Sequence, residues 1–177
     1  LTIQYGFLAN EKISMLKIIV NVIPYNDPET APEGAPTKVE KDITLTKVWS
    51  DDYVKTTADV KDILRNTFKM TTYQIHKAIM DGNLKVYLNT ISEEEPTYTS
   101  DVPGYWISAE GAPVKYAEGL VFCCIGHDEE NLTLYGGNHP NNVAATGTVV
   151  KTKMIVTCNG GEATFNITFN VTAKEDK

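Results

Sequence analysis

The sequence predicts a mainly β, β-sandwich-like fold carrying two short α-helices. Three observations lead there. Phe165, Ile167, Phe169 and Val171 alternate strictly with Thr164, Asn166, Thr168 and Asn170, the two-residue period of a strand with one buried and one wet face. Other short apolar stretches recur along the chain, separated by turns rich in Gly, Asn and Asp. Only two segments show helical spacing, and both are short.

The elements follow in chain order. Ile3 to Phe7 and Met15 to Ile23 read as strands joined by the polar turn Ala9-Asn10-Glu11-Lys12, with Leu16, Ile18, Val20 and Val22 on one face. This hairpin resembles the one at the C-terminus. Residues 1–25 are therefore expected to be the tail of a preceding repeat or to pack on the main sheet. Residues 26–38 are expected to be a Pro-rich linker. Pro28, Pro32 and Pro36, with Pro24 just before them, deny ladder donors and favour extended backbone.

Residues 39–177 should form the β-rich module with its two helices. Thr56 to Asn66 reads as the first helix, capped by Thr56, with Asp59 in its first turn and Val60, Ile63 and Leu64 buried. Thr71 and Gln74 make a capping box for the second, whose stripe is Ile75, Ala78 and Ile79 and whose end is Gly82. Strands are expected at Leu84 to Leu88, Tyr105 to Ala109, Leu120 to Ile125, Leu132 to Tyr135 and Thr148 to Thr157. Leu120 to Ile125 is apolar on both faces, which marks a central strand covered on each side. Met154 to Cys158 and Glu162 to Ala173 form the closing hairpin across Asn159-Gly160-Gly161, where Asn-Gly supplies positive φ.

Composition narrows the function. The net charge is −7 and the chain has one arginine, Arg65, so it lacks the clustered cations that phosphate binding needs and no nucleic-acid partner is expected. No apolar run nears the ~20 residues of a transmembrane helix. The chain opens at Leu1 without a basic-apolar leader, and a signal peptide is expected to have been trimmed. The acidic clusters Glu93-Glu94-Glu95 and Asp128-Glu129-Glu130 read as solvated loop tips. Cys123, Cys124 and Cys158 are too few for a disulfide scaffold, and the adjacent pair should be small buried hydrophobes.

Catalytic motifs are weak throughout. A thiol–imidazole pair from Cys123 or Cys124 with His127 would place the thiol in a buried strand. Glu110 and Glu118 qualify as glycosidase carboxylates only by flanking an aromatic segment. The spacing of Cys123, Cys124, His127 and His139 does not suit zinc, and His76 reads as a boundary side chain. No catalytic residue, metal ligand or cofactor is assigned, and the protein is not expected to be an enzyme.

The candidate ligand site is the segment from Gly104 to Gly111. Adjacent strand residues point to opposite faces, so one of Tyr105 and Trp106 can enter the core while the other offers a flat face to a sugar ring. The competing reading packs both rings. Asn138, His139 and Asn141, in a glycine-flanked loop, are the polar partners assigned to this site.

From Lys41 onward the order of motifs resembles a domain of unknown function from secreted, multi-domain, often lipid-anchored surface proteins of gut Bacteroidetes. The matching pieces are Asp51-Asp52-Tyr53, Lys69-Met70-Thr71 running to Asp81-Gly82, Gly104-Tyr105-Trp106 to Gly111, and Gly137-Asn138-His139-Pro140-Asn141 leading to Gly147-Thr148. His139-Pro140-Asn141 replaces the aromatic-Pro-Gly turn usual in that pattern. The resemblance implies a secreted or outer-surface location, tandem repetition, and a place in a glycan-binding or glycan-processing system. The expected function is a non-catalytic, carbohydrate-binding module. The alternative is a structural or interaction module that spaces or docks surface proteins and has no ligand of its own.

Overall fold

The computed structural model describes residues 2–9, 12–20, 25–48, 55–92, 103–128, 130–142 and 144–172. Pro24, the Asp51-Asp52-Tyr53 lead and the Glu93-Glu94-Glu95 cluster lie outside the described residues. The architecture is mainly β and sandwich-like, with two α-helices.

Strands β1 (Thr2–Ala9) and β2 (Lys12–Ile19) pair with each other in a separate two-stranded antiparallel sheet. Among the described residues no ladder joins this hairpin to another strand. One larger sheet contains β3 (Lys38–Val48), β5 (Lys85–Leu88), β10 (Val149–Cys158) and β11 (Gly161–Thr172), in the order β3-β11-β10-β5. The other contains β4 (Lys55–Asp59), β6 (Gly104–Ile107), β7 (Pro113–Val114), β8 (Val121–His127) and β9 (Leu132–Asn138), in the order β4-β9-β8-β6-β7. All pairs are antiparallel except β3 with β11.

The strand periods decide what is buried. Ala163, Phe165, Ile167, Phe169 and Val171 of β11 enter the main core, while Asn166, Thr168 and Asn170 stay partly exposed. Val121, Cys123 and Ile125 of β8 join that core, as do Leu132 and Leu134 of β9. The opposite face of β8 and β9 carries a second apolar cluster of Trp106, Phe122, Cys124 and Tyr135. β8 is thus covered on both faces, as its unbroken apolar run predicts. In the β10–β11 turn Asn159 and Gly160 take φ of 49° and 79°, the pair of positive angles that a two-residue hairpin turn requires.

The helices differ from expectation at one boundary. α1 spans Lys61–Phe68, and Thr56 is not its cap. Residues 55–59 are instead β4, paired with β9 from Lys55↔Gly137 to Asp59↔Thr133. β-branched Thr56 and Thr57 suit that ladder, and the helix begins only beyond Val60, whose N–H still donates to the Leu132 carbonyl (3.0 Å). Val60 is the N-cap and gives no side-chain bond, while Asp59 just before it accepts the Lys61 N–H through Oδ1 at 2.8 Å. α2 (Thr72–Met80) has the expected capping box: Thr71 Oγ1 accepts the Gln74 N–H (3.2 Å) and Gln74 Oε1 accepts the Thr71 N–H (2.9 Å). β3 is not anticipated by the sequence reading, because Lys41 interrupts the inward row of Val39, Ile43 and Leu45.

Residues 25–37, expected as linker, have no regular secondary structure but are pinned across both helices. The Tyr25 ring stacks on Tyr73 at 4.1 Å. Thr71 donates its hydroxyl to the Asp27 carboxylate. Glu29 accepts the Thr72 N–H (2.7 Å) and hydroxyl (3.1 Å), so two acidic residues sit at the positive end of α2. Arg65 of α1 closes the contact, with Nε 3.3 Å from Glu29 and Nη2 donating to the Thr30 carbonyl at 3.2 Å. Partial burial pushes the Glu29 carboxyl up. The Thr72 hydrogen bonds and the Arg65 and Lys61 charges outweigh it and hold the group below its ordinary value.

Candidate functional site

Strand alternation places the two neighbouring rings on opposite faces, but neither is open to solvent. Tyr105 is 1% exposed in the main core, where its hydroxyl donates to the Val86 carbonyl at 3.0 Å. Trp106 is 3% exposed on the other face of the sheet. The premise of an outward ring in this pair therefore gives way, because the outer face has its own cover. Phe122 meets the Trp106 ring edge-on at 5.3 Å. Above it lie the segment from Pro113 to Gly119 and the loop from His139 to Asn142. A Cβ on Gly119 would come within 2.9 Å of the indole, so glycine lets this segment press on the ring.

Tyr116, in the 3-10 turn Tyr116–Glu118, is the ring that reaches the surface, at 44% exposure. Its centroid is 5.1 Å from Trp106 at 83°, an edge-to-face contact, and 4.4 Å from the His139 ring. His139 also lies 4.9 Å from Trp106. The imidazole is thus wedged beneath an exposed tyrosine and beside a buried tryptophan.

Hydrogen bonds fix the wedge. His139 Nδ1 accepts the N–H groups of Asn141 (3.0 Å) and Asn142 (2.9 Å), which leaves the ring proton on Nε2. That buried Nε2 has no aligned hydrogen-bond partner among the described residues. The backbone N–H of His139 donates to Leu120 O (2.9 Å), and Asn142 Nδ2 donates to Gly119 O (2.9 Å). Asn141 Nδ2 reaches the Tyr116 hydroxyl at 3.4 Å. Burial lowers the His139 pKa against a smaller opposing effect of the Tyr116 backbone, so the ring favours its neutral form.

Of the assigned residues, Trp106, His139 and Asn141 meet around Tyr116. Asn138 is fully buried at the end of β9, its side-chain amide 3.4 Å from the His139 carbonyl, and supports the loop from beneath. Tyr105 is on the other side of the sheet. Tyr116 is the residue that sequence reasoning missed. Its signal is an aromatic set among Lys115, Ala117 and Glu118 with no apolar period around it, which marks a surface ring.

The other chemical candidates separate. Cys123 faces the main core and Cys124 the outer cluster, and burial pushes the Cys123 thiol up to about 12, far from a thiolate nucleophile. His127 faces His76 instead. Glu110 and Glu118 are exposed, one in the turn after Ser108 and the other in the 3-10 turn. Asp128 is occupied within its own turn, accepting the N–H groups of Glu130 and Asn131, and Glu129 lies outside the described residues. A cleft of ≈ 560 Å³ lined by Met70, Gln74, Lys77 and Asn159 shares no residue with the Tyr116 cluster.

Residues 52–164 match the model of a family described as a domain of unknown function (DUF4859). No curated protein and no solved structure matches the chain.

Proposed function

The chain belongs to the DUF4859 family, a domain of unknown function, and from that premise we propose a non-catalytic extracellular module of a surface glycan-binding or glycan-processing system that recognises saccharide by stacking on Tyr116. The observation that carries this reading is the exposed Tyr116 ring held edge-to-face by Trp106 and at a 47° tilt by His139. A ring already ordered loses little conformational freedom when a flat apolar face settles on it. Asn141 and Asn142, both exposed beside it, supply the polar rim that sugar hydroxyls need. The resemblance to secreted surface modules of gut Bacteroidetes supports the extracellular and tandem-repeat parts of the reading. The burial of Cys123, which keeps its thiol from acting as a thiolate, supports the non-catalytic part.

Contact with a single ring contributes on the order of 1 kcal/mol beyond area burial, so affinity should be weak, roughly high-micromolar to millimolar. A glycan-array screen with Tyr116→Ala and Trp106→Ala as controls tests it. Binding lost in Tyr116→Ala with the cooperative melting of the fold retained is the expected result. Retention of every glycan by Tyr116→Ala sinks the assignment. A second reading, a structural or docking module without a ligand, is favoured by the exposed apolar run Ile18, Ile19 and Val20 (38%, 61% and 41% exposed). Failure of the wild type to retain any glycan would turn the case to it.

A further inference from the structure

His76 and His127 come from distant parts of the chain and meet at the junction of α2 and β8. Their Nδ1 atoms are 2.8 Å apart, with ring centroids 4.9 Å apart and planes inclined by 47°. Both side chains are half-buried, so the meeting point lies at the rim of the fold. Each ring is held by a rigid element. α2 is fixed by its capping box and by Ile75, Ala78 and Ile79 in the core. His127 ends β8 directly before a turn tied by Asp128, whose Oδ1 accepts the N–H groups of Glu130 (2.8 Å) and Asn131 (2.6 Å) and whose own N–H donates to Asn131 O (3.0 Å).

We propose that His76 and His127 are the two protein ligands of a divalent transition-metal site of the zinc class, with water in the remaining positions. Two Nδ1 atoms this close require either one ring proton between them, as an N–H···N hydrogen bond, or, with both protons on Nε2, a cation that both lone pairs can reach. Zinc–nitrogen bonds of about 2.0–2.1 Å at a tetrahedral angle set two ligand nitrogens about 3.3 Å apart, so an opening of about 0.5 Å admits the ion. That is a side-chain adjustment. Asp128 directly follows His127 in a chain of net charge −7, and negative charge close by favours a cation there. Among the described residues no third His, Cys, Asp or Glu joins the pair in a ligand group, so these residues supply two ligands. Imidazole nitrogen selects zinc, copper or nickel over calcium and magnesium, which prefer oxygen. The inference is independent of the saccharide reading.

The test is isothermal titration of the intact 177-residue chain with zinc chloride, with calcium and magnesium chloride as controls, alongside thermal melting of the same samples. Zinc should bind with one-to-one stoichiometry and raise the melting temperature by a few degrees in excess metal, while calcium and magnesium do neither. His76→Gln and His127→Gln should each weaken zinc about tenfold or more, since losing a direct ligand costs at least as much as losing an outer partner. Melting curves of the metal-free variants show whether each still folds. Wild-type protein without zinc-dependent heat or stabilisation overturns the proposal and leaves the contact as a shared-proton hydrogen bond. Variants that fold and bind zinc as tightly as wild type overturn it too, by placing the metal elsewhere.

Discussion

Trp106 and Tyr116 touch each other, yet their substitutions should have unequal consequences. Trp106 is enclosed by Phe122, Tyr116 and His139, so Trp106→Ala should cost roughly 3–5 kcal/mol, a large part of the stability of a domain this size. Chemical denaturation gives that number directly, and a loss below about 1 kcal/mol would contradict the packing. Tyr116→Ala should cost only about 1 kcal/mol in the same assay, because the ring is 44% exposed and gives up only its contacts with Trp106 and His139. His139 adds a pH signature. Its pKa is lower in the fold than the ordinary 6.5, so the unfolded chain binds the proton more readily. The stability it contributes is complete above about pH 6.5 and declines as the pH falls below that toward the folded pKa. Melting temperatures between pH 7.5 and 5 should show this slope in wild type and a flatter one in His139→Gln.

The element that departs most from its sequence reading is the Pro-rich stretch. Its prolines do prevent regular structure, but Tyr25, Asp27 and Glu29 turn it into a strap over the start of α2. Those three residues stand among Pro, Asn and Thr with no period, so a one-dimensional pattern cannot show that they face a helix terminus some forty residues later. Glu29→Ala removes a cap and leaves Arg65 only its longer, exposed carboxylate contact with Asp62 (3.8 Å), and should cost about 1–2 kcal/mol by denaturant titration. Because the folded Glu29 pKa lies below its ordinary 4.5, its stabilisation is present above about pH 4.5 and is lost as the pH falls through the lower folded value. The acid limb of the stability curve should flatten in Glu29→Ala, while the His139 slope below about pH 6.5 remains. The capping box of α2 was legible because all its partners lie within four residues. The start of α1 was not, because a ladder partner more than seventy residues away claims Thr56 and Thr57 for β4.

At the scale of the whole molecule, the strap links residues before the module to its helical end. Thr37 donates to the Thr67 carbonyl and accepts from Glu162, so the strap leads straight into β3 and the start of β11. A chain begun at Lys38 should therefore melt roughly 5 °C or more below one begun at Tyr25, since it loses the helix cap and the Arg65 contacts together. Equal melting temperatures would show the strap to be energetically idle. The mainly β class, the closing hairpin with its Asn159-Gly160 turn, the two-faced burial of β8 and the capping box all rest on periods and short-range chemistry, and amino-acid order is enough to specify them. The parallel pairing of β3 with β11, the roof over Trp106, the promotion of Tyr116 to the surface and the meeting of His76 with His127 depend on which segments fold over one another. Those juxtapositions join residues far apart in the chain, and only the packing of the two sheets and the helices decides them.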